Sequence, residues 1–362
     1  MHVVLDARLA RHSGIGRYIR NLVRALPEAA PDVSLTLAAN PSQDLSWAPR
    51  NVRQSRFPRE VPIYSVSEQT LLPGWLSEIG GDLLHVPHFN VPLLFRGPVV
   101  VTLHDLIYLR FPREAGTLRR MAASVLIRLA ARRARRVIAV SEATRDDLAA
   151  TLGVDPARVE VIHHGAGLSY GEAPPPAGQR PLGEPYVLFV GTHAPHKNLG
   201  ILLDAFVQVS RDDPRARLVL AGPEGRSTTA LRFAIAKRGL AEKTRLALDC
   251  DDAALASWYA HACALALPSL CEGFGFPVLE AFGYGTPVVC ARASALPEVA
   301  GDAAQYFAPD DPSALAAILA RLLRDGKERA AWAARGVERL KAFDWRRTAE
   351  RTAAVYREAA TR

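Results

Sequence analysis

A glycine-rich segment between two glutamates constrains the fold of this chain more than any other feature. Glu272 and Glu280 stand eight positions apart within residues 268–289, and an apolar run, CALALP, leads into that segment. The run predicts a buried strand, and Pro277 suits the first turn of a helix, where its missing N–H costs nothing. The order strand, glycine loop, helix places free N–H groups and the positive end of a helix beside two carboxylates. Such a place suits an anion together with sugar or ribose hydroxyls.

Short apolar segments alternate with helical ones along the whole chain. This alternation indicates an α/β protein, with parallel sheets covered by helices. In such sheets, ligands bind beyond the carboxyl ends of the strands. The strands that we predict span residues 2–6, 33–38, 82–86, 99–103, 137–140, 159–162, 186–190, 217–221, 245–248, 264–267 and 288–290.

The length of 362 residues favours two domains over one. A Gly- and Pro-rich stretch without periodicity lies between the two sets of strands and is typical of a linker. We therefore predict two Rossmann-like domains, over residues 1–170 and 186–343, joined by a linker over 171–185. The tail, residues 344–362, predicts a single helix.

Several further motifs accompany the glutamate pair. Together they closely resemble the retaining glycosyltransferases of the GT-B fold, family 4, whose signature is E-x7-E. The resemblance covers SGIGRYIRNLVRAL, HVPHFNVPLL, VVVTLHDLIYLRFP, VIAVSEATRDDL, GTHAPHKNLGILLDAF and ASALPEVAGDA, in the family's order. It implies two parallel sheets that face each other across a cleft, with the acceptor bound by the first domain and the nucleotide-sugar by the second. It also implies that the last helix crosses back onto the first domain.

The resemblance assigns roles to individual residues. Lys197 would contact the donor diphosphate, Glu272 the sugar hydroxyls and Glu280 the ribose hydroxyls. His104 would contact the donor sugar, although a hydrogen-bonded core histidine would look the same in the sequence. The backbone of the glycine segment and an N-terminal glycine loop would also contact the donor, through Gly273, Phe274, Gly275, Gly14 and Gly16.

The second cation for the diphosphate is not fixed by the resemblance. Many family members carry an arginine at one of two positions, which are Thr192 and His196 in this chain. His196 can serve when protonated, and Arg226 is a further candidate. On the acceptor side, His85 and His88 are candidates, with ordinary core positions as the alternative.

The expected reaction is retaining transfer of a hexose from a nucleotide-diphosphate sugar to a glycan or lipid-linked glycan. The resemblance is closest to bacterial mannosyltransferases of surface polysaccharide assembly, so GDP-mannose is the expected donor. The D-x-D of Asp249 and Asp251 is better explained by a helix N-cap at Asp251 or Asp252. We therefore expect neither a metal nor another cofactor.

Other functions stay open at this point. One is another nucleotide-sugar enzyme on the same fold, either epimerase-like or dependent on a UDP-sugar. The other is a basic protein without enzymatic activity that binds nucleic acid or membrane. This second alternative is disfavoured because aromatic residues are only 7% and scattered. A nicotinamide cofactor is disfavoured because Ile19 stands where G-x-G-x-x-G needs glycine.

The net charge of +8 indicates an anionic partner. The most basic segment of the chain runs from Leu118 to Arg136, with seven arginines and no acidic residue. This segment predicts a basic amphipathic helix, which either contacts an anionic membrane peripherally or packs on the chain's own sheet with a solvated arginine face. The four cysteines form no C-x-x-C pair and no apolar run is long enough to cross a bilayer, so we expect a cytoplasmic location, either free or peripheral on the inner face of the membrane.

Overall fold

The chain divides into two compact units, each described here by itself. The computed structural model describes residues 1–111, 117–167 and 177–361. The first unit consists of Met1–Glu172 together with Phe343–Arg362, and the second of Ala173–Ala342. Residues 171–176 of the predicted linker lie outside the described part of the chain.

The described residues of the first unit form a seven-stranded sheet in the order β3-β2-β1-β4-β5-β6-β7. Its strands, all parallel, are β1 His2–Asp6, β2 Ser34–Ala39, β3 Arg53–Arg56, β4 Leu83–Val86, β5 Val99–Leu103, β6 Arg136–Ala139 and β7 Val159–Val161. The central strands are buried on both faces, as the continuous apolar segments predict. β3 was not predicted because it is a polar edge strand, RQSR, that is largely exposed.

Helices cover this sheet on both faces. They are α1 Ser13–Ala29, α2 Val66–Thr70, α3 Leu72–Ile79, α4 Ile107–Arg110, α5 Thr117–Arg133, α6 Glu142–Leu152 and the last helix of the chain, α14 Trp345–Thr361. α14 packs on α1 within the first unit. The buried face of α14 carries Trp345 and Tyr356. Gly165 lets the start of this helix approach closely, because a Cβ at Gly165 would lie 2.4 Å from the backbone nitrogen of Trp345.

The described residues of the second unit form a six-stranded parallel sheet in the order β10-β9-β8-β11-β12-β13. Its strands are β8 Tyr186–Val190, β9 Arg217–Gly222, β10 Thr244–Leu248, β11 Ala264–Leu267, β12 Val288–Ala291 and β13 Ala304–Phe307. Its helices are α7 Leu199–Asp212, α8 Thr228–Lys237, α9 Asp252–His261, α10 Phe276–Gly283, α11 Leu296–Ala300, α12 Pro312–Arg324 and α13 Gly326–Leu340.

The strand order of the second sheet reverses in its middle. From β8 the chain moves outward to β9 and β10, and it then returns to place β11 on the other side of β8. The loops that follow β8 and β11 therefore diverge, and a crevice opens at this edge of a doubly wound sheet. The predicted α/β class with two Rossmann-like domains is confirmed.

Candidate active site

An ion pair lies where the strand order of the second sheet reverses. Lys197 follows β8 at the end of a short 3-10 helix, Pro195–Lys197, and Glu272 follows β11. Lys197 Nζ lies 2.6 Å from Glu272 Oε1, with 13% and 11% of the two side chains exposed. The fold therefore brings together a cation and a carboxylate that are far apart in the chain, at the edge where such sheets bind ligands.

Three loops meet at Glu272. The Leu270 N–H donates to the His196 carbonyl at 2.8 Å, which ties the loop after β11 to the loop after β8. The Ser294 hydroxyl donates to the Glu272 carbonyl at 2.8 Å, which adds the loop after β12. Ser294 has a φ of 50°, a left-handed conformation that is uncommon for serine and often marks a functional loop. The backbone around Glu272 is thus held from both sides.

The glycine segment turns from β11 into α10 as the sequence predicts. Gly275 has a φ of 106°, which only glycine adopts readily, and a Cβ there would lie 3.2 Å from Leu296 Cδ2. Pro277 stands in the first turn of α10 and Phe274 is buried. The start of α10 therefore lies beside Glu272 and Gly273, with its positive end directed toward the same loop.

Glu280 lies in α10 and is 6% exposed. The Tyr259 hydroxyl donates to Glu280 Oε2 at 2.5 Å. The Tyr259 ring lies parallel to that of Tyr284, with 5.9 Å between centroids and 6° between planes. Glu280 is therefore a buried carboxylate that accepts a hydrogen bond from a hydroxyl group, which is the kind of donor that a ribose also offers.

The other predicted donor contacts in this unit lie on neighbouring loops. Thr192 is exposed and His196 is 7% exposed, both in the loop that carries Lys197, while Arg226 is exposed in the loop after β9. Asp251 caps α9, because its Oδ1 accepts from the Ala254 N–H at 2.7 Å. The described residues contain no group of three or more His, Cys, Asp or Glu side chains arranged to hold a metal ion.

The structure corrects the prediction for His85 in the first unit. Its ring is fully buried, with Nδ1 2.6 Å from the Tyr356 hydroxyl and Nε2 2.9 Å from the Thr102 hydroxyl. Burial lowers the pKa of His85 to about 3. With both nitrogens hydrogen-bonded inside the core, His85 links α14 to the sheet and does not face an acceptor.

His104 and His88 lie near the carboxyl ends of β5 and β4. Nε2 of His104 donates to the Pro87 carbonyl at 3.0 Å, which leaves Nδ1 as the acceptor nitrogen. Burial lowers the pKa of His104 to about 4 and that of His88 to about 3. His88 Nε2 lies 2.5 Å from the Tyr64 hydroxyl. Both rings are neutral at pH 7, and the role of each stays a prediction.

The predicted N-terminal glycine loop lies at the start of a helix, and its contact with the donor stays a prediction. Gly14 and Gly16 lie in the first turn of α1, whose Gly16 N–H donates to the His12 carbonyl. A Cβ at Gly16 would lie 2.5 Å from the Ala10 carbonyl oxygen, whereas a Cβ at Gly14 would have no heavy atom within 4 Å. The backbone of the preceding turn thus comes so close that only glycine fits at position 16. Packing does not require glycine at position 14.

Two family models match consecutive halves of the chain. Residues 12–169 match the model described as Glycosyltransferase Family 4, and residues 174–339 match Glycosyl transferases group 1. The chain belongs to the GT-B glycosyltransferases of family 4. This glycosyltransferase is an enzyme whose family takes a nucleotide-sugar donor and a glycan acceptor, as the motifs predict.

Known proteins resemble this glycosyltransferase over most of their length. The O-antigen chain mannosyltransferase B of Escherichia coli is 29% identical over 370 residues, which is 95% of this chain and 96% of that protein. A D-inositol 3-phosphate glycosyltransferase of Streptosporangium roseum is 30% identical over 78% of this chain and 67% of its own. The sucrose-phosphate synthase structure from Thermosynechococcus elongatus has the same fold, with a TM-score of 0.79, 21% identity and coverage of 99% and 98%.

Two residues near the glutamate pair escaped the sequence analysis. Ser294 lies within the ASALPEVAGDA motif, so the motif marked the segment but not the hydroxyl that reaches Glu272. Tyr259 lies on the helix before β11, and nothing in its spacing from Glu280 indicates a contact. Only the packing of α9 against α10 brings the two side chains together.

No helix in the described parts of the chain has both the length and the apolar character needed to cross a membrane.

Proposed function

We propose that this glycosyltransferase moves a hexose from a nucleotide-diphosphate sugar to a glycan or lipid-linked glycan, with retention of configuration and without a metal. The observation that carries the proposal is the Lys197–Glu272 pair at the reversal point of the second sheet, with Glu280 on the adjoining helix. The pair combines a cation for a leaving diphosphate with a carboxylate for sugar hydroxyls.

Charge builds up on the phosphate oxygens as the sugar leaves. Lys197 supplies a fixed positive charge there, and the N-terminal end of α10 adds oriented dipoles, which together stabilise that charge. When the diphosphate takes over Lys197, Glu272 is released to accept hydrogen bonds from the sugar. Preorganised groups of this kind replace the charge that a metal ion would otherwise provide.

The proposed bond changes follow from same-face attack. The bond between the anomeric carbon and the phosphate oxygen breaks, and a bond between that carbon and the acceptor oxygen forms on the same face. The acceptor proton passes to the departing phosphate oxygen, so no separate base and no covalent enzyme intermediate is needed. Retention follows because the attacking and leaving oxygens share one face of the sugar.

The name of one relative favours mannose as the sugar. The Escherichia coli relative, which aligns over nearly both whole chains, is a mannosyltransferase of an O-antigen chain. We therefore propose GDP-mannose as donor and a growing surface polysaccharide as acceptor. The alternative donor is a UDP-sugar, since pocket side chains that distinguish bases and sugars vary between enzymes of one fold.

We further propose peripheral contact with an anionic membrane through α5. Met121 and Val125 on this helix are 59% and 52% exposed, while Ile127 and Ala130 are buried in the core of the first unit. The helix thus packs on its own sheet and still presents apolar side chains among arginines, a pattern typical of interfacial helices. The side chains of residues 118–120, which belong to the predicted segment, lie outside the described part of the chain.

Flotation with vesicles of anionic or neutral lipid tests this contact. A double variant, Met121→Glu with Val125→Glu, should lose binding to anionic vesicles, whereas Phe233→Glu, an exposed apolar side chain in the second unit, should not. Equal binding to anionic vesicles by the wild type and both variants would contradict a contact through α5.

The transferase proposal is tested by transfer from a panel of nucleotide-sugars to a mannose-terminated oligosaccharide in EDTA. We expect release of GDP from GDP-mannose that depends on the acceptor, with an α-linkage in the product by NMR. Release of UDP from a UDP-sugar, without release of GDP from GDP-mannose, would show that the donor is a UDP-sugar. Conversion of the sugar without transfer, or a β-linked product, would contradict the proposed reaction.

A further inference from the structure

The strand order of the first sheet, like that of the second, reverses in its middle. From β1 the chain moves outward to β2 and β3, and it then returns to place β4 on the other side of β1. The loops that follow β1 and β4 therefore diverge at the carboxyl ends of these strands. Because a doubly wound sheet binds its ligand at such a point, the side chains there are candidates for a second binding surface.

A buried cluster joins the two diverging loops. Arg8, after β1, donates to Glu68 Oε1 at 2.7 Å, and the side-chain amide of Asn90, after β4, donates to the same oxygen at 2.8 Å. Glu68 and Asn90 are 1% and 3% exposed. The other carboxylate oxygen, Oε2, accepts from the Tyr64 N–H at 2.8 Å. The cluster therefore fixes the backbone of Tyr64 near the point where the strand order reverses.

The side chain of Tyr64 is fixed as well. Its hydroxyl lies 2.5 Å from His88 Nε2, and its ring stacks on that of Phe89, with 5.5 Å between centroids and 24° between planes. Tyr64 also has a φ of 63°, a left-handed conformation that is rare for a bulky residue and persists only where the surroundings enforce it. Backbone strain of this kind often marks a functional position.

More than half of Tyr64 is nevertheless open to solvent. The residue is 54% exposed, whereas Phe89 behind it is 6% exposed, so the apolar surface that this stack offers is the outer face of Tyr64. A tyrosine ring provides a large contact area and has few torsions to immobilise. Because Tyr64 is already held in place, a ligand that stacks on it costs the protein little further conformational entropy.

We propose that Tyr64 binds the acceptor glycan, with the outer face of its ring stacked on one pyranose ring. The inference rests on the proposed function for the nature of the ligand, a glycan acceptor. One face of a pyranose carries C–H groups, whose slight positive charge is attracted to the negative face of an aromatic ring. The hydroxyl groups at the edge of the sugar stay hydrated, as the exposed position of Tyr64 allows.

The first experiment measures transfer to a mannose-terminated oligosaccharide, with kcat and the KM values of both substrates. In Tyr64→Leu we expect the acceptor KM to rise by about fivefold to tenfold, the size of one aromatic stacking contact. The kcat and the donor KM should be unchanged, because stacking stabilises the bound acceptor and the transition state equally. Tyr64→Phe keeps the ring and loses only the hydroxyl that meets His88, so its acceptor KM should stay near that of the wild type.

Val66→Ala is the matched control. Val66 stands two residues after Tyr64 and is 80% exposed, so this variant removes apolar surface nearby without removing an aromatic ring. We expect its acceptor KM to equal that of the wild type. A rise as large as that of Tyr64→Leu would mean a general apolar contact and would overturn the stacking.

A second variant covers the case in which Tyr64→Leu does not fold. Glycine adopts a φ of 63° readily, so Tyr64→Gly removes the ring and relieves the backbone strain at the same time. We expect the same rise in acceptor KM as for Tyr64→Leu. A wild-type acceptor KM in folded Tyr64→Gly would overturn the inference.

Saturation-transfer NMR with the same oligosaccharide and no donor reports on the contact without any transfer. For the wild type we expect the strongest transfer at the ring C–H protons of one sugar. This signal should be lost in Tyr64→Leu and retained in Tyr64→Phe and Val66→Ala.

The outcomes separate this inference from the proposed function. Transfer by the wild type with an unchanged acceptor KM in Tyr64→Leu overturns the inference and leaves the proposed function standing. An oligosaccharide signal that depends on Tyr64, in a wild type that transfers no sugar from any nucleotide-sugar, supports the stacking and contradicts the proposed function. A wild type that neither transfers a sugar nor binds the oligosaccharide overturns both.

Discussion

Lys197 Nζ and Glu272 Oε1 lie 2.6 Å apart at the carboxyl ends of the two central strands of the second sheet. Both side chains are largely withdrawn from water, and the desolvation of such a pair can offset most of its Coulombic attraction. The pair is thus a weak source of stability. We interpret the two charges as groups that bind a ligand, with Lys197 contacting a diphosphate and Glu272 contacting a sugar.

Loss of the carboxylate should abolish most of the transfer. We expect Glu272→Ala to lower turnover by roughly a hundredfold or more, because a group that stabilises the reacting sugar is removed. Glu184→Ala is the control, since Glu184 pairs with Arg217 and is 41% exposed. Turnover and melting temperature are measured together. Near-normal transfer by folded Glu272→Ala would contradict the assignment.

Gly222 should matter for the loop that carries Lys197. A Cβ at Gly222 would lie 2.0 Å from the Gly191 carbonyl oxygen, so Gly222→Ala forces the strand ends apart. We expect a loss of about 1–3 kcal/mol in the free energy of unfolding and a weaker affinity for nucleotide. In Gly225→Ala, where a Cβ would have no heavy atom within 4 Å, both should be unchanged. Equal effects of the two variants would rule out the close approach as the cause.

Stability of the first unit should fall in mild acid. His85 takes up a proton near pH 6.5 when unfolded, but its pKa is lowered to about 3 in the fold by burial. Between these values the unfolded chain binds more protons, so the free energy of unfolding falls as the pH drops, by up to about 1.4 kcal/mol per pH unit. Urea titrations at several pH values check this slope.

The variant His85→Gln separates that histidine from the other titrating groups. It removes one ionisable ring, so the slope of stability against pH below 6.5 should become shallower even if the variant is less stable overall. His88 and His104 contribute in the same direction, because burial lowers their pKa values as well. An identical slope in the wild type and the variant would show that His85 is not buried and neutral.

Arg8 should be essential for the first unit. It donates to Asp6 at 2.6 Å and to Glu68 at 2.7 Å, and all three side chains are at most 5% exposed. Arg8→Met leaves two buried carboxylates without their cation, which costs about 3–5 kcal/mol. Arg110→Met breaks the more exposed Arg110–Asp147 pair and should cost at most about 1 kcal/mol. Chemical denaturation compares the two, and similar losses would contradict the buried network.

The sequence predicted the central strands well but missed two of the four edge strands, β3 and β13. Strands such as β5 and β8 are buried on both faces, so they are continuous apolar runs that stand out in the sequence. β3 and β13 each pair with a single neighbour, and β3 consists of polar residues. A polar edge strand such as β3 is defined by hydrogen bonds to its neighbour and not by its own composition, which is why it was missed.

At the candidate site, too, local features could be predicted from the sequence and long-range contacts could not. Pro277 and Gly275 carry local conformational signals, so the loop and helix start around Glu272 could be predicted. The contacts of Ser294 and Tyr259 depend on how separate elements pack, and no local signal marks them. His85 was misjudged because a histidine that fills a core and one that meets a ligand have the same sequence signal until their partners are known.

The most direct measurement is thermal stabilisation by GDP, UDP, GDP-mannose, UDP-glucose, NAD and a short oligonucleotide, all in EDTA. A ligand at a hundred times its dissociation constant adds about 2.7 kcal/mol to the free energy of unfolding. We predict that one nucleoside diphosphate and the corresponding nucleotide-sugar stabilise the wild type and fail to stabilise Lys197→Met. Stabilisation by NAD or the oligonucleotide alone, or equal stabilisation of both proteins by the nucleotide, would contradict a donor site built on Lys197 and Glu272.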